Sequence, residues 1–213
     1  MPTFTHTVEP LVAVEPAQQA NQHRIGIFGG TFNPPHLGQL ILADSLGRQL
    51  GLEKVYWLPN AVPPTGTHTS AIEPSYRAQM VKLAIMDNPL FELETRELRN
   101  GGVSLSCQTM RELTQENPDN DYYWLMGADQ VKHLPQWEGI DELSKLVTFV
   151  AGTYKDVPKV SDYPVIWLDV PGLQVSASDL RTKIRLNHSI QYLVPDRVAA
   201  FINEYHLYRG FYD

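Results

Sequence analysis

A single cysteine, Cys107, among 213 residues rules out an internal disulfide and a cysteine-built zinc cage. It suits a reducing, cytoplasmic setting in which Cys107 is a small buried residue. Positive charge is scarce too: 17 Lys and Arg stand against 24 Asp and Glu, for a net charge of -7. Such a chain lacks the basic face that broad nucleic-acid or anionic-membrane binding demands, so an anionic ligand has to be met by local positive groups. No apolar run approaches the ~18 residues of a membrane span, and residues 1–23 lack the basic start and apolar block of a secretory leader. Neither a membrane nor a nucleic acid is expected as a partner. The Gly-x-Gly-x-x-Gly spacing of Rossmann dehydrogenases is missing as well, the nearest run being Gly26-Ile27-Phe28-Gly29-Gly30.

What the chain does have is 43% apolar residues arranged in alternating strand and helix patterns from Arg24 onward. That pattern gives an α/β, Rossmann-like, doubly wound parallel sheet with helices on both faces. Strands are expected at 24–28, 54–58, 91–95, 122–126, 146–150 and 165–168. Helices are expected at 37–50, 75–86, 106–115, 178–185 and 196–205. Met110 and Leu113 fall on the inner face of the third helix. Val198, Phe201, Ile202 and Tyr205 recur at helical spacing in the last one and are expected to pack on the sheet. The length favours one domain, residues 24–213, preceded by a flexible tail over 1–23 that has little periodicity. Because right-handed crossovers gather the loops that follow successive strands, the pocket is expected at the strands' carboxyl ends.

One stretch carries most of the chemistry: Ile25 to Phe28, then Gly29-Gly30-Thr31-Phe32-Asn33-Pro34-Pro35-His36-Leu37-Gly38-Gln39. An apolar strand is expected to run into a glycine turn, where a polyanion can approach the backbone of Phe28, Gly29, Gly30 and Thr31. A helix starting near Pro35 aims free N–H groups and a positive dipole end at the same place. His36 is positioned to touch a phosphate oxygen and, if protonated, to offset developing negative charge. Ser178 and Arg181, three apart at another helix start, share a face that can clamp phosphates, Arg181 through a two-pronged contact. Ser176 and Ser178 both stand where a helix N-cap belongs, so one can cap while the other binds.

These residues resemble the nucleotidylyltransferase superfamily, whose signature is Gly-Gly-Thr-Phe-(Asp/Asn)-Pro-x-His-x-Gly-His after the first strand of a Rossmann-like fold. Within it, Leu58-Pro59-Asn60-Ala61-Val62-Pro63-Pro64, Gly127-Ala128-Asp129, Leu134-Pro135-Gln136-Trp137 and Val175-Ser176-Ala177-Ser178-Asp179-Leu180-Arg181 are similar, in order, to the bacterial nicotinate-nucleotide adenylyltransferases. The resemblance implies adenylyl transfer from ATP to nicotinic acid mononucleotide in NAD biosynthesis, with Mg²⁺ held by substrate and water. It implies catalytic roles for His36, Gln39 and Arg181, and ATP contacts from Phe28, Gly29, Gly30, Thr31, His36, Ser178 and Arg181. Asp129 is placed beside the ribose or the pyridine nucleotide, although helix capping would explain it equally. Trp137 is expected to stack on the nicotinate ring, and Ser104 and Ser106 to recognise its carboxylate. No protein carboxylate cluster for a metal is implied, and a homo-oligomer is compatible with the family.

The chain also departs from the pattern. Gln39 replaces the second His of the signature, keeping an amide donor that cannot become cationic, and charge-assisted hydrogen bonds are about twice as strong as neutral ones. Thr65 follows Pro63-Pro64 where relatives usually carry His, and Leu105 replaces a usual aromatic. Two other functions therefore stay open on sequence: a nucleotide-binding paralogue with weak or lost catalysis, and phosphopantetheine adenylyltransferase, which shares the first motif.

Overall fold

The structure, a computed structural model, describes residues 23–63, 71–154 and 158–210. Six strands, β1 (His23–Gly30), β2 (Lys54–Pro59), β3 (Phe91–Leu93), β4 (Asn120–Gly127), β5 (Thr148–Thr153) and β6 (Val165–Asp169), form one parallel sheet in the order β3-β2-β1-β4-β5-β6. The helices are α1 (Leu37–Gln49), α2 (Pro74–Ile85), α3 (Arg96–Asn100), α4 (Ser106–Glu116), α5 (Ala128–Val131), α6 (Ile140–Leu146), α7 (Ala177–Arg185) and α8 (Asp196–Glu204), with a 3-10 turn at Leu134–Gln136.

Both faces of the sheet are buried, and side chains alternate between them as the strand period requires. Ile25 and Ile27 of β1, Tyr122, Trp124 and Met126 of β4, and Phe149 of β5 share one core with Met110 and Leu113 of α4 and Leu143 of α6. Phe28, Val55, Trp57, Leu125 and Val150 share the other with Leu42 and Leu46 of α1 and Val81 of α2. The strand order reverses between β1 and β4. The chain winds outward from β1 to β3 and then returns to the opposite side of β1, so the connections that leave these two neighbours diverge and open a crevice at their carboxyl ends.

Four expectations need correction. Gly29 and Gly30 are not a turn: they remain in β1, paired in register with Leu58 and Pro59, and the turn begins at Thr31. The apolar face of α8 does not lie on the sheet. Val198 and Ile202 instead form a third core with Met80 of α2 and with Leu180 and Ile184 of α7. In that core Phe201 is half-buried and packs on Tyr76, while Tyr205 is largely exposed. The segment expected as a strand from residue 146 starts its strand at Thr148, because Ile140, Leu143 and Leu146 complete a short helix face first. The edge strand β3 stops at Leu93, since Thr95 opens α3 and the side chain of Glu94 accepts the backbone N–H of Arg96 at 2.7 Å. Residues 1–22 and the Pro64-Thr65 segment lie outside the described residues, and His23, expected in the tail, opens β1.

Candidate active site

A cavity of about 630 Å³ opens at the carboxyl ends of β1 and β4. It brings together Phe28, Gly29, Gly30, Thr31, His36, Gln39, Asp129 and Arg181 from the sequence-derived set, and adds Asn33, Tyr154 and Ser176. Ser104, Ser106, Trp137 and Ser178 do not line it.

The reason for glycine at the end of β1 is packing. A Cβ on Gly29 would lie 2.9 Å from the Trp124 ring, and one on Gly30 would lie 3.1 Å from the Phe32 ring. Aromatic side chains thus press on the strand from both faces of the sheet, and only glycine leaves room for them. Phe32, 2% exposed, adopts a left-handed backbone (φ 51) that a non-glycine residue rarely takes. The turn is therefore over-determined by its surroundings.

Arg77 of α2 is what holds that turn. It is 1% exposed, and it donates to the backbone oxygens of Thr31 (2.8 Å), Asn60 (2.8 Å), Ala61 (2.9 Å) and Ile72 (3.1 Å) and to Asn60 Oδ1 (3.3 Å). Asn60 in turn donates to Thr31 Oγ1 at 3.1 Å. The loops after β1 and β2 are thereby fastened together through carbonyl oxygens. Such oxygens fit the planar fork of a guanidinium and would not all be reached by an ammonium. Burial lowers the pKa of Arg77, which stays charged at any ordinary pH.

His36 occupies the N-cap of α1 and is 8% exposed. Its Nδ1 is buried without a hydrogen-bond partner, and burial pulls the ring's pKa down to about 4. The imidazole is consequently neutral at pH 7 before any phosphate arrives. A neutral ring can still donate one N–H to a phosphate oxygen, and an incoming polyanion would favour its protonation. Gly38 is confined beside it: a Cβ there would lie 3.0 Å from the Leu173 oxygen and 3.2 Å from His36 Nδ1. Gln39 uses its side-chain oxygen to accept the His36 backbone N–H at 3.1 Å.

Arg181 reaches the cavity from α7 and donates to the Asn33 carbonyl at 2.9 Å. Ser176 is the N-cap of α7, accepting the Asp179 N–H at 3.1 Å, and Ser178 sits 3.0 Å from Ser176, hydroxyl to hydroxyl. Ser176 is thus the capping residue of the pair. Asp129 lies in the first turn of α5, whose start carries no side-chain cap, and its carboxylate curls back so that a Cβ on Gly127 would meet it at 2.6 Å. Tyr154 lines the cavity near Asp129 and its pKa is raised, first by burial and then by that carboxylate.

A second patch lies on the α4 and α6 side of the sheet. Trp137 is half-buried, edge-on to Trp124 with ring centroids 5.6 Å apart. Trp124 therefore sits between Trp137 and Gly29. Ser104 is buried and largely occupied, its hydroxyl accepting the Ala61 N–H at 2.8 Å and hydrogen-bonding to Glu97. Glu97 is itself buried, takes a 2.9 Å bond from Thr109, and has its pKa raised by that burial. Ser106 is half-buried at the first residue of α4. The roles of Arg77, Asn60 and Asn33 escaped sequence reasoning. Arg77 stands in an expected helix and the two asparagines in quoted segments, but Arg77 holds backbone oxygens and the asparagines bond to residues far along the chain, which leaves no spacing signal.

The cytidylyltransferase-like family model matches residues 27–183. A protein named probable nicotinate-nucleotide adenylyltransferase from Lactiplantibacillus plantarum is 49% identical over 92% of this chain and 93% of its own length. One of the same name from Enterococcus faecalis is 40% identical over 93% of this chain and 91% of its own. Among solved structures, Plasmodium falciparum nicotinic acid mononucleotide adenylyltransferase complexed with NaAD superposes with a TM-score of 0.76. It covers 90% of this chain and 100% of its own, at 15% identity, a likeness of fold alone.

Proposed function

From a chain that belongs to the cytidylyltransferase-like family, and within it to the nicotinate-nucleotide adenylyltransferases, we infer one reaction: adenylyl transfer from ATP to nicotinic acid mononucleotide, giving deamido-NAD and pyrophosphate in NAD biosynthesis. The observation that carries it is the cavity at the β1 and β4 carboxyl ends, where the signature's backbone, His36 and Arg181 converge.

In our account a phosphate oxygen of the mononucleotide attacks the α-phosphorus of ATP. The bond to the β-phosphate breaks, and pyrophosphate leaves with that bonding pair. No protein nucleophile is needed, so positioning and charge stabilisation supply the acceleration. His36 donates an N–H to the α-phosphate and becomes a stronger donor as the polyanion favours its protonation. Gln39, its oxygen engaged by the His36 N–H, has its amide N–H₂ left for a second, weaker contact. Arg181 holds the outgoing pyrophosphate, with Ser178 assisting at the start of α7. Asp129 orients the nucleotide sugar, Trp137 stacks on the pyridine ring, and Ser106 with the backbone near Ser104 meets the nicotinate carboxylate.

Among the described residues no group of three or more His, Cys, Asp or Glu could hold a metal, and the acid lining the cavity is Asp129. That donor set fits a divalent cation, Mg²⁺ in our account, that would be held by ATP phosphate oxygens and water. Bound there it would neutralise phosphate charge. No described helix is long and apolar enough to cross a membrane, and both substrates of the proposed reaction are small molecules.

The test is pyrophosphate release by the purified protein with ATP and Mg²⁺, comparing nicotinic acid mononucleotide, its amide and phosphopantetheine. Turnover with the acid mononucleotide is expected to exceed the other two. Preference for phosphopantetheine would reassign the branch. Silence on all three, with ATP still bound, would mean a nucleotide-binding protein without catalysis.

A further inference from the structure

Tyr208 lies beyond α8, at the far end of the chain from the phosphate loop, yet its hydroxyl donates to Asn33 Oδ1 at 2.8 Å across 175 positions. Asn33 is 5% exposed and lines the cavity. Its carbonyl accepts Arg181, and His36 follows three residues later. One residue thus joins the loop that delivers His36 to the cation on α7, and the Tyr208 hydroxyl grips its side chain. The Tyr208 backbone is left-handed (φ 64), as is that of His206 (φ 52). A non-glycine residue accepts this geometry when surrounding contacts compensate for it. Leu207, 9% exposed in the third core, anchors the turn from the other side.

We propose that Tyr208 is a positioning residue for adenylyl transfer: its hydroxyl fixes Asn33, and through Asn33 it sets both the approach of His36 and the placement of Arg181. Tyr208 faces the guanidiniums of Arg181 and Arg77, which would favour a phenolate, but burial outweighs them and pushes its pKa up. The hydroxyl therefore stays a donor throughout the working range. Asn33 Oδ1 can accept, whereas the Arg77 and Arg181 side chains can only donate. The contact joins segments 175 positions apart, so the geometry of the loop after β1 depends on the C-terminal segment being in place.

The proposal rests on the adenylyl-transfer assignment, and its test separates the two. Tyr208→Phe keeps the ring in its core and removes only the hydroxyl. Amide exchange by NMR at Thr31, Phe32, Asn33 and His36 is expected to accelerate about fivefold or more, with β4 and α4 unchanged, since local opening is read segment by segment. With ATP, Mg²⁺ and nicotinic acid mononucleotide, kcat is expected to fall about tenfold with both KM values within about twofold. That is the pattern of an interaction realised in the transition state, where small misplacements are costly. Asn33→Ala should show a similar loss, and the double variant should be no worse than Asn33→Ala alone.

Unchanged loop exchange would overturn the proposal. So would faster exchange spread evenly along the chain, a rise in KM with kcat kept, or a Tyr208→Phe loss that multiplies fully on Asn33→Ala. If the wild type does not turn over, the assigned reaction fails, and loop exchange still decides whether Tyr208 holds the loop.

Discussion

The side-chain oxygen of Gln39 accepts the backbone N–H of His36 at 3.1 Å, so the residue that departs from the signature also steadies the helix start that presents His36. Gln39→Ala should lower stability by about 0.5 to 1 kcal/mol, as loss of a helix-start acceptor does, and reduce kcat by less than the 10²- to 10³-fold typical of losing a full transition-state donor. Gln39→Glu keeps the accepting oxygen and places a negative charge in the phosphate site. It should melt near the wild type while losing more activity than the alanine variant. Calorimetry with pyrophosphate-release kinetics checks both, and a fully active Gln39→Glu would contradict the placement.

His36 makes stability depend on pH in a definite direction. Its folded pKa of about 4 lies below the ordinary histidine value of 6.5. Between these values the unfolded chain takes up a proton that the folded chain refuses, so stability is fully present above pH 6.5 and is lost as pH falls toward 4. At 1.36 kcal/mol per unit the full loss is about 3 kcal/mol. Denaturant unfolding at several pH values should show this slope in the wild type and a smaller one in His36→Gln. Equal slopes would mean that the ring is not desolvated as described.

Gly38→Ala should damage catalysis more than folding. Gly38 has no positive φ, yet an added methyl would lie 3.0 Å from the Leu173 oxygen and 3.2 Å from His36 Nδ1. Displacing the imidazole by a few tenths of an ångström is expected to reduce kcat about tenfold or more. The melting temperature should move little, because alanine's gain in helix propensity of about 1 kcal/mol offsets the crowding. Wild-type kcat in this variant would show that the ring position is not critical.

Arg77→Met should be strongly destabilising, by about 3 kcal/mol or more, since it leaves several buried carbonyl oxygens without donors. Arg77→Lys should recover only part of this, because an ammonium cannot span oxygens from two loops. Equilibrium unfolding measures both. Full recovery by lysine would show that charge, not the planar fork, fastens the loops.

Trp137→Ala should raise the KM for nicotinic acid mononucleotide by about five- to a hundredfold, in line with ~1 to 3 kcal/mol per stacked ring. The KM for ATP should stay near that of the wild type, because Trp137 stands outside the cavity that holds the phosphate-loop residues. A matched rise in both constants would place the effect in Trp124, on which Trp137 leans edge-on.

That His36 and Arg181 reach one cavity was legible in the sequence, because each stands in a contiguous motif, one where a strand enters a helix and the other at a helix start. The same holds for the strands, whose alternating apolar positions divide between two cores as the pleat demands. Sequence spacing was poor at locating ends. The carboxyl end of β1 ran into the glycines, and α6 took residues that looked like the start of β5, because hydrogen-bonded partners from elsewhere in the chain decide where an element stops.

By itself, then, the sequence determined the parallel α/β architecture, the family and the segment after β1 that enters the cavity, since local periodicity and contiguous motifs encode these. Only the tertiary structure decided how that segment is held. Arg77 from α2, Trp124 from β4 and Tyr208 from beyond α8 converge on it, as does burial that leaves His36 neutral. These effects arise from distance and desolvation between residues far apart in the chain, and neither quantity is written in the order of the amino acids.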